Sequence, residues 1–388
     1  MKFKQLNLRR IAKTEECPCG SGKKYRACCF NAKDQDLGFD KMLDNEKWLN
    51  NFIRDMYKKT DYAECIYYDK EKCKGPIIGA HTLQNNGVLK KLAVKNHVMM
   101  LTAEVDKFGG KANFERIGKN KATTFMGFCK EHDDKVFSDI EKEDYTGAEK
   151  QKFLYAYRAL AQEYHKKNRL MKSLQQSFKI KPSILKESWA VGNYRLRQLD
   201  MFDVNEYKKK FDEAFKNEDF SILETIEIIL DEEYDFAVTT MFTLTFDLKE
   251  NRINNTYSTK FERMKSCFLT IVPLENKTLI LFSWLKEDNF KLKGYKEQIE
   301  NLSLEEIKIY LNNMIPMYTE NIIFSPRLVE KWTDEEKECF KKTFSGEFVR
   351  LDELQGENSI RYMFNFLKSV FKYKVDFLKK PNYDLFRK

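Results

Sequence analysis

At 388 residues, with 42% hydrophobic and 33% charged side chains, the chain is long enough for two or three domains under a densely charged surface. It has no run of about 18 apolar residues to span a membrane, and its opening, MKFKQLNLRRIAKTEE, lacks the apolar stretch of roughly 7–15 residues of an export signal. The net charge of +9 permits an anionic partner without demanding one.

These features predict a cytoplasmic protein whose nine cysteines are reduced. The charge is uneven: residues 1–33 carry nine Lys/Arg against Glu15 and Glu16, so the basic head is the part expected to meet an anion. The 31 Phe and 19 Tyr are expected chiefly to fill cores. Seven of the nine cysteines fall in the first 132 residues, and clustered reduced cysteines usually hold metal.

The first cluster is CPCGSGKKYRACC, residues 17–29, with spacing C-x-C-x8-C-C. Four thiolates can close a tetrahedral shell around zinc, with bonds of about 2.3 Å. Gly20 and Gly22 flank Ser21 and let the chain double back. Adjacent side chains point to opposite faces of a strand, so Cys28 and Cys29 are placed at a turn or at the start of a short helix, where they can share an ion. The alternative reading is a vicinal disulfide or unmetallated thiols. The stretch 16–31 resembles the SEC-C motif, the zinc module at the C-terminus of a preprotein translocase motor: ligand spacing, PCGSGKKY core and doubled cysteine all agree. Some members end in Cys-His where this chain has Cys29. The resemblance implies Cys17, Cys19, Cys28 and Cys29 as ligands. It also implies docking on a partner, which in the family is a chaperone or the ribosome.

A helical stretch, 39–59, is expected to lead to a second cluster between residues 65 and 133, which contains Cys65, Cys73, Cys129 and three of the four histidines, His81, His97 and His132. Cys129-x2-His132 is a familiar knuckle opening into a helix, and with Cys65 and Cys73 it would make a Cys3His site. GPIIGAH reads as a strand ending at His81, and HDDKVFSDIEKE as an amphipathic helix with Val136, Phe137 and Ile140 inward. His97 is expected in a core or surface role.

This order resembles the zinc-bearing HNH nucleases, a treble-clef or ββα-metal arrangement. The resemblance implies His81 as general base, Asp133 as ligand of a catalytic Mg2+ or Mn2+, and Asn85 or Asn86 as the orienting asparagine. The chain departs from that pattern at Ala80, at the long gap from His81 to Cys129, and at Asp133 where His or Asn is usual.

Residues 144–178 read as the strongest helix, with His165 exposed on it; KPSILKES breaks it near Pro182, and helices continue to about residue 233. FAVTTMFTLTFDL, CFLTIVPL and KTLILFSWL then read as an antiparallel sheet holding a buried Cys267. Two helices follow with capping boxes, Ser303/Glu306 and Thr333/Glu336. Cys339 reads as a buried small hydrophobe, and residues 359–380 as an aromatic helix with a basic tail.

The expected fold class is α+β, with small N-terminal zinc modules, a helical middle and a C-terminal antiparallel sheet with flanking helices. The expected segments are 1–33 (SEC-C-like), 34–143 (HNH-like), 144–235 (helical) and 236–388 (α+β). Two functional readings stand. One is a zinc protein acting on nucleic acid, an HNH-like nuclease in a bacterial defence or stress role. The other is a non-catalytic adaptor whose first module docks on the ribosome, a chaperone or another protein.

Overall fold

The computed structural model describes residues 6–35, 51, 55, 58–60, 62–106, 109–256, 258–345 and 376–388. Two sheets organise the chain. Strand β1 (Ile77–His81) pairs antiparallel with β4 (Thr124–Cys129), while the chain between them makes a hairpin of β2 (His97–Asp106) and β3 (Gly109–Gly118). After β4 come two short helices, α1 (Lys130–Val136) and α2 (Ser138–Glu141). The long helices α3 (Glu149–Ile180) and α4 (Ser188–Asn217) follow, joined by a 3-10 turn over Pro182–Lys186. Next are β5 (Leu223–Leu230), β6 (Phe236–Thr243), β7 (Ser266–Leu274) and β8 (Lys277–Leu285), then α5 (Asn289–Glu300), α6 (Leu304–Tyr318), β9 (Ile322–Phe324), α7 (Pro326–Lys331) and α8 (Asp334–Ser345).

The large sheet has seven strands in the order β3-β2-β9-β6-β7-β8-β5, every neighbouring pair antiparallel. The fold class is α+β. The sheet unites β2 and β3 from segment 34–143, β5 from 144–235 and the strands of 236–388 in one hydrogen-bonded array.

Both faces of this sheet are covered, so its central strands are buried nearly throughout. Successive side chains alternate between the faces. Phe236, Val238, Leu269, Ile271, Ile280, Phe282 and Trp284 pack against α5–α8, where Leu292, Tyr295, Tyr310, Leu311 and Phe340 meet them. Ala237, Phe268, Val272, Leu279, Leu281 and Leu285 face the other way, toward α3, α4 and the segment 83–92. The long helices close on each other through Phe153–Phe211 ring contacts at 4.8 Å and through Phe178–Tyr194 at 5.8 Å. Pro182 therefore turns a helical hairpin.

Three sequence expectations change. Residues 223–230 form an edge strand, with Leu223 opposite Leu285 and Leu230 opposite Thr278, and not a helix. The β-branched run Thr225, Ile226, Ile228, Ile229 suits a strand, and α4 has already stopped at Glu218, in the left-handed region at φ 51°. His165 is buried, its Nε2 2.6 Å from the Tyr62 carbonyl. Cys339 is only half-buried, whereas Cys267 is fully buried. Both capping boxes are present. The expected helices over 39–59 and 359–380 lie largely outside the described residues.

Asn321, which leads into β9, joins the β1 region to the large sheet. Its buried Nδ2 donates to Thr82 Oγ1 at 2.8 Å and to the Thr239 carbonyl at 3.1 Å. Asn321→Leu strands both acceptors and is expected to lower stability by about 1–3 kcal/mol, read as a lower urea midpoint with unchanged slope.

Candidate metal centres

The first centre is built by a doubled-back loop. Glu16 and Lys24 form a bridge, and the Cys17 amide donates to the Lys23 carbonyl at 2.7 Å. Gly20 sits at φ 73°, where an L side chain is strained, and a Cβ there would come within 2.8 Å of Gln175. A 3-10 turn over Tyr25–Ala27 then presents Cys28 and Cys29 on the turn the spacing requires.

All four sulfurs lie within 4.8 Å of one another, with Cys19–Cys28 at 3.6 Å and Cys28–Cys29 at 3.9 Å. A zinc tetrahedron with bonds of about 2.3 Å has edges of about 3.8 Å. A disulfide needs about 2.05 Å, so the vicinal-disulfide alternative does not match the geometry.

Protonation favours the same occupant. Burial pushes the Cys17 and Cys29 thiols up, and Cys17 and Cys19 raise Cys29 further. Burial also raises Cys19, but Ser21 and the neighbouring thiols outweigh it and bring the group to about 7. Four clustered thiolates, three of them buried, cannot coexist without a counter-ion, and a divalent cation removes the conflict.

The module is not a free appendage. Cys29 Sγ lies 3.8 Å from the Phe178 carbonyl of α3. Arg195 of α4 binds Glu15 at 2.7 Å and the Asn7 carbonyl at 3.2 Å. Lys23, Lys24 and Arg26 face solvent.

The second centre gathers ligands from distant positions. The segment 64–66 runs beside β4, with the Ile66 amide on the Gly127 carbonyl at 2.8 Å. Cys73 comes from the following loop, Cys129 ends β4, and His132 lies in the first turn of α1. His132 Nδ1 is 3.3 Å from Cys65 Sγ, 3.5 Å from Cys73 Sγ and 3.3 Å from Cys129 Sγ. The N···S edge of a zinc tetrahedron is about 3.6 Å.

Burial, together with Cys65 and Cys129, pushes Cys73 up to about 12. For Cys129, burial acts upward but hydrogen bonds from the His132 and Lys74 amides and from the other thiols bring it down. Burial holds His132 below the ordinary histidine value, so its ring is neutral and its Nδ1 lone pair is free to bind. Tyr67 packs on that ring at 4.5 Å. Both clusters have the donors and dimensions of closed zinc sites.

Residues 14–31 match the SEC-C motif. The match covers the first centre and nothing beyond it, and it extends two residues before the stretch whose likeness the sequence shows. No curated protein and no solved structure matches the chain.

β1 begins beside the second centre, with Ile77 opposite Cys129, and ends opposite Thr124 at His81, which is half-buried. Its Nδ1 lies 3.0 Å from the Ala122 carbonyl, and burial lowers its pKa. A carbonyl only accepts, so Nδ1 carries the proton and Nε2 the lone pair. Asp133 follows His132 on α1. Its Oδ1 is buried with no hydrogen-bond partner among the described residues, and burial raises the carboxyl to about 6. Arg158 and Glu141 act on both His81 and Asp133. Asn85 accepts from Lys119 Nζ at 2.9 Å and donates to Asn120 Oδ1 at 3.1 Å, so the contact that orients His81 is Ala122. His97 is exposed at the start of β2, on the Lys95 carbonyl at 2.8 Å, and takes no part in either cluster.

Sequence reasoning missed Arg158. Its guanidinium is buried, pairs with Glu141 and lies 4.0 Å over the Phe137 ring. The available signal was a lone arginine inside the apolar run FLYAYRALA of α3.

Elemental analysis is expected to find two zinc ions per chain, one for each cluster. Cys29→Ser and Cys129→Ser should each remove one and leave the other. Because a structural zinc contributes folding free energy on the order of 10 kcal/mol, strong chelators should lower the thermal midpoint sharply.

Proposed function

We propose that this chain is a zinc protein that acts on nucleic acid, with an HNH-like phosphodiesterase site beside its second metal centre. The observation that supports this most is the placement of His81 and Asp133. A strand-end imidazole has its free nitrogen fixed by the Ala122 bond, and a carboxylate with an unsatisfied buried oxygen directly follows the last zinc ligand. His81 ends β1 opposite Thr124, and Asp133 lies on α1, which follows directly from β4.

In this reading the Cys3His zinc is structural and fixes β4 against α1. His81 Nε2 accepts the proton of the attacking water. Burial keeps His81 neutral at pH 7, as a base requires. The unpartnered oxygen of Asp133 suits a divalent cation, which when bound would stabilise charge on the phosphate and leaving oxygens. Lys119, Asn85 and Asn120 form a polar rim through which the phosphodiester backbone is held. A bacterial defence or stress role and a cytoplasmic location belong to the same reading.

A second reading is favoured by the SEC-C match. There both centres are scaffolds, and the exposed Lys23, Lys24 and Arg26 present the module to a ribosome, a chaperone or another protein. Co-sedimentation with ribosomes, lost when these three residues become Glu while zinc is retained, would favour it.

The test of the first reading is cleavage of single- and double-stranded DNA and RNA with Mg2+ or Mn2+. His81→Ala is expected to lower the rate about 10²–10⁴-fold with zinc content unchanged. Wild type and variant equally inert on every substrate would defeat the reading. Since the folded histidine is held below its ordinary 6.5, activity should rise with pH through a midpoint under that value and be lost as His81 protonates on acidification.

A further inference from the structure

We propose that the connection between β6 and β7 forms a binding surface for single-stranded nucleic acid. Residues 252–255, 258 and 262–265, with Lys291, enclose a cavity of about 210 Å³. Arg252, Asn255, Ser258, Arg263, Lys265 and Lys291 line it, with Glu262 the acidic residue among the lining groups.

The four cations are not equivalent. Arg263 is engaged by Glu287 and Asp288 at 2.7 and 2.6 Å. Lys265 donates to the Arg263 carbonyl at 2.9 Å and lies 3.8 Å from Glu262. Arg252 and Lys291 are exposed, and neither has an ion-pair partner among the described residues. The fixed pairs hold the loop in shape, and the two unengaged cations give the cavity a net positive field that selects an anion.

Two phenylalanines flank this field. Phe246 is 45% exposed with the Arg252 guanidinium 5.6 Å from its ring, and Phe290 is 71% exposed with the Lys265 ammonium 5.9 Å away. Exposed rings beside cations serve single strands well, because unpaired bases stack on the rings while phosphates meet the charges. A duplex offers its bases no such face.

The basic head adjoins the same loop. The Leu6 amide donates to the Thr259 carbonyl at 3.0 Å, and Arg9 and Arg10 are exposed close by in the chain. The loop and head thus make one basic surface from segments far apart in sequence.

This inference rests on the nucleic-acid reading for the class of partner only, and it shares no residue with the His81 cluster. The test is fluorescence anisotropy with full-length, zinc-loaded protein and labelled single strands of about 10–15 nucleotides, with no Mg2+ or Mn2+ added. The double variant Arg252→Glu/Lys291→Glu is expected to bind about 10-fold more weakly or worse, with the slope of log K against log salt reduced by about 2. Phe246→Ala/Phe290→Ala should weaken binding about 10-fold with the slope unchanged. All four positions are exposed, so circular dichroism and zinc content should match wild type.

Unchanged affinity in both variants would overturn the proposal. So would duplex binding as tight as single-strand binding, or displacement of the strand by inorganic phosphate at equal concentration, which would mark a bare anion site. A chain that cleaves nucleic acid yet binds it independently of these residues refutes this surface and leaves the His81 site standing. One that binds through them and never cleaves does the reverse.

Discussion

The chain depends on closing two tetrahedra of soft donors around positive charge. In each cluster the donor atoms come within 4.8 Å of one another. Burial pushes the Cys17, Cys29 and Cys73 thiols up, and neighbouring thiols raise Cys29 and Cys73 further. A bound divalent ion offsets that cost by stabilising the thiolates. The first tetrahedron ties the head to the helical hairpin through Phe178 and Arg195. The second clamps the loop at 65–73 to the junction of β4 and α1.

The β1–β4 pairing explains how a long excursion is tolerated between the two strands. Pairing of His81 with Thr124 brings the two ends of the excursion side by side, while Ile77 pairs with Cys129 at the metal end. The intervening hairpin can then extend the large sheet through Met99 opposite Phe324. Asn321 bonds the two regions at Thr82. Metal, hairpin and sheet are thus mechanically continuous, and Arg158 acts electrostatically on both His81 and Asp133.

The charge distribution divides the surface by role. Buried or half-buried ionic groups such as Arg158–Glu141 and Arg263–Asp288 hold elements together. Arg9 and Arg10 of the head, Arg252 of the β6–β7 connection and Lys291 of α5 are exposed to solvent. A net charge of +9 over 388 residues is a weak signal averaged along the chain, and its concentration on a few loops gives it a direction.

Much of this was legible beforehand. Cys17, Cys19, Cys28 and Cys29 lie so close in sequence that chain geometry alone brings them together, and Cys129 with His132 form a local knuckle. Strands β6, β7 and β8 show in their β-branched and aromatic runs, and the caps at Ser303 and Thr333 in a three-residue spacing. Such features need only neighbours along the chain. The tertiary structure decided the rest. It made β5 a strand, because the edge of β8 offered hydrogen bonds to a β-branched run that suits pairing. It buried His165 under Tyr62, brought Arg158 into electrostatic reach of both His81 and Asp133, and laid Leu6 against Thr259. Each of these joins residues far apart in sequence, and no local pattern encodes a partner that only packing brings within reach.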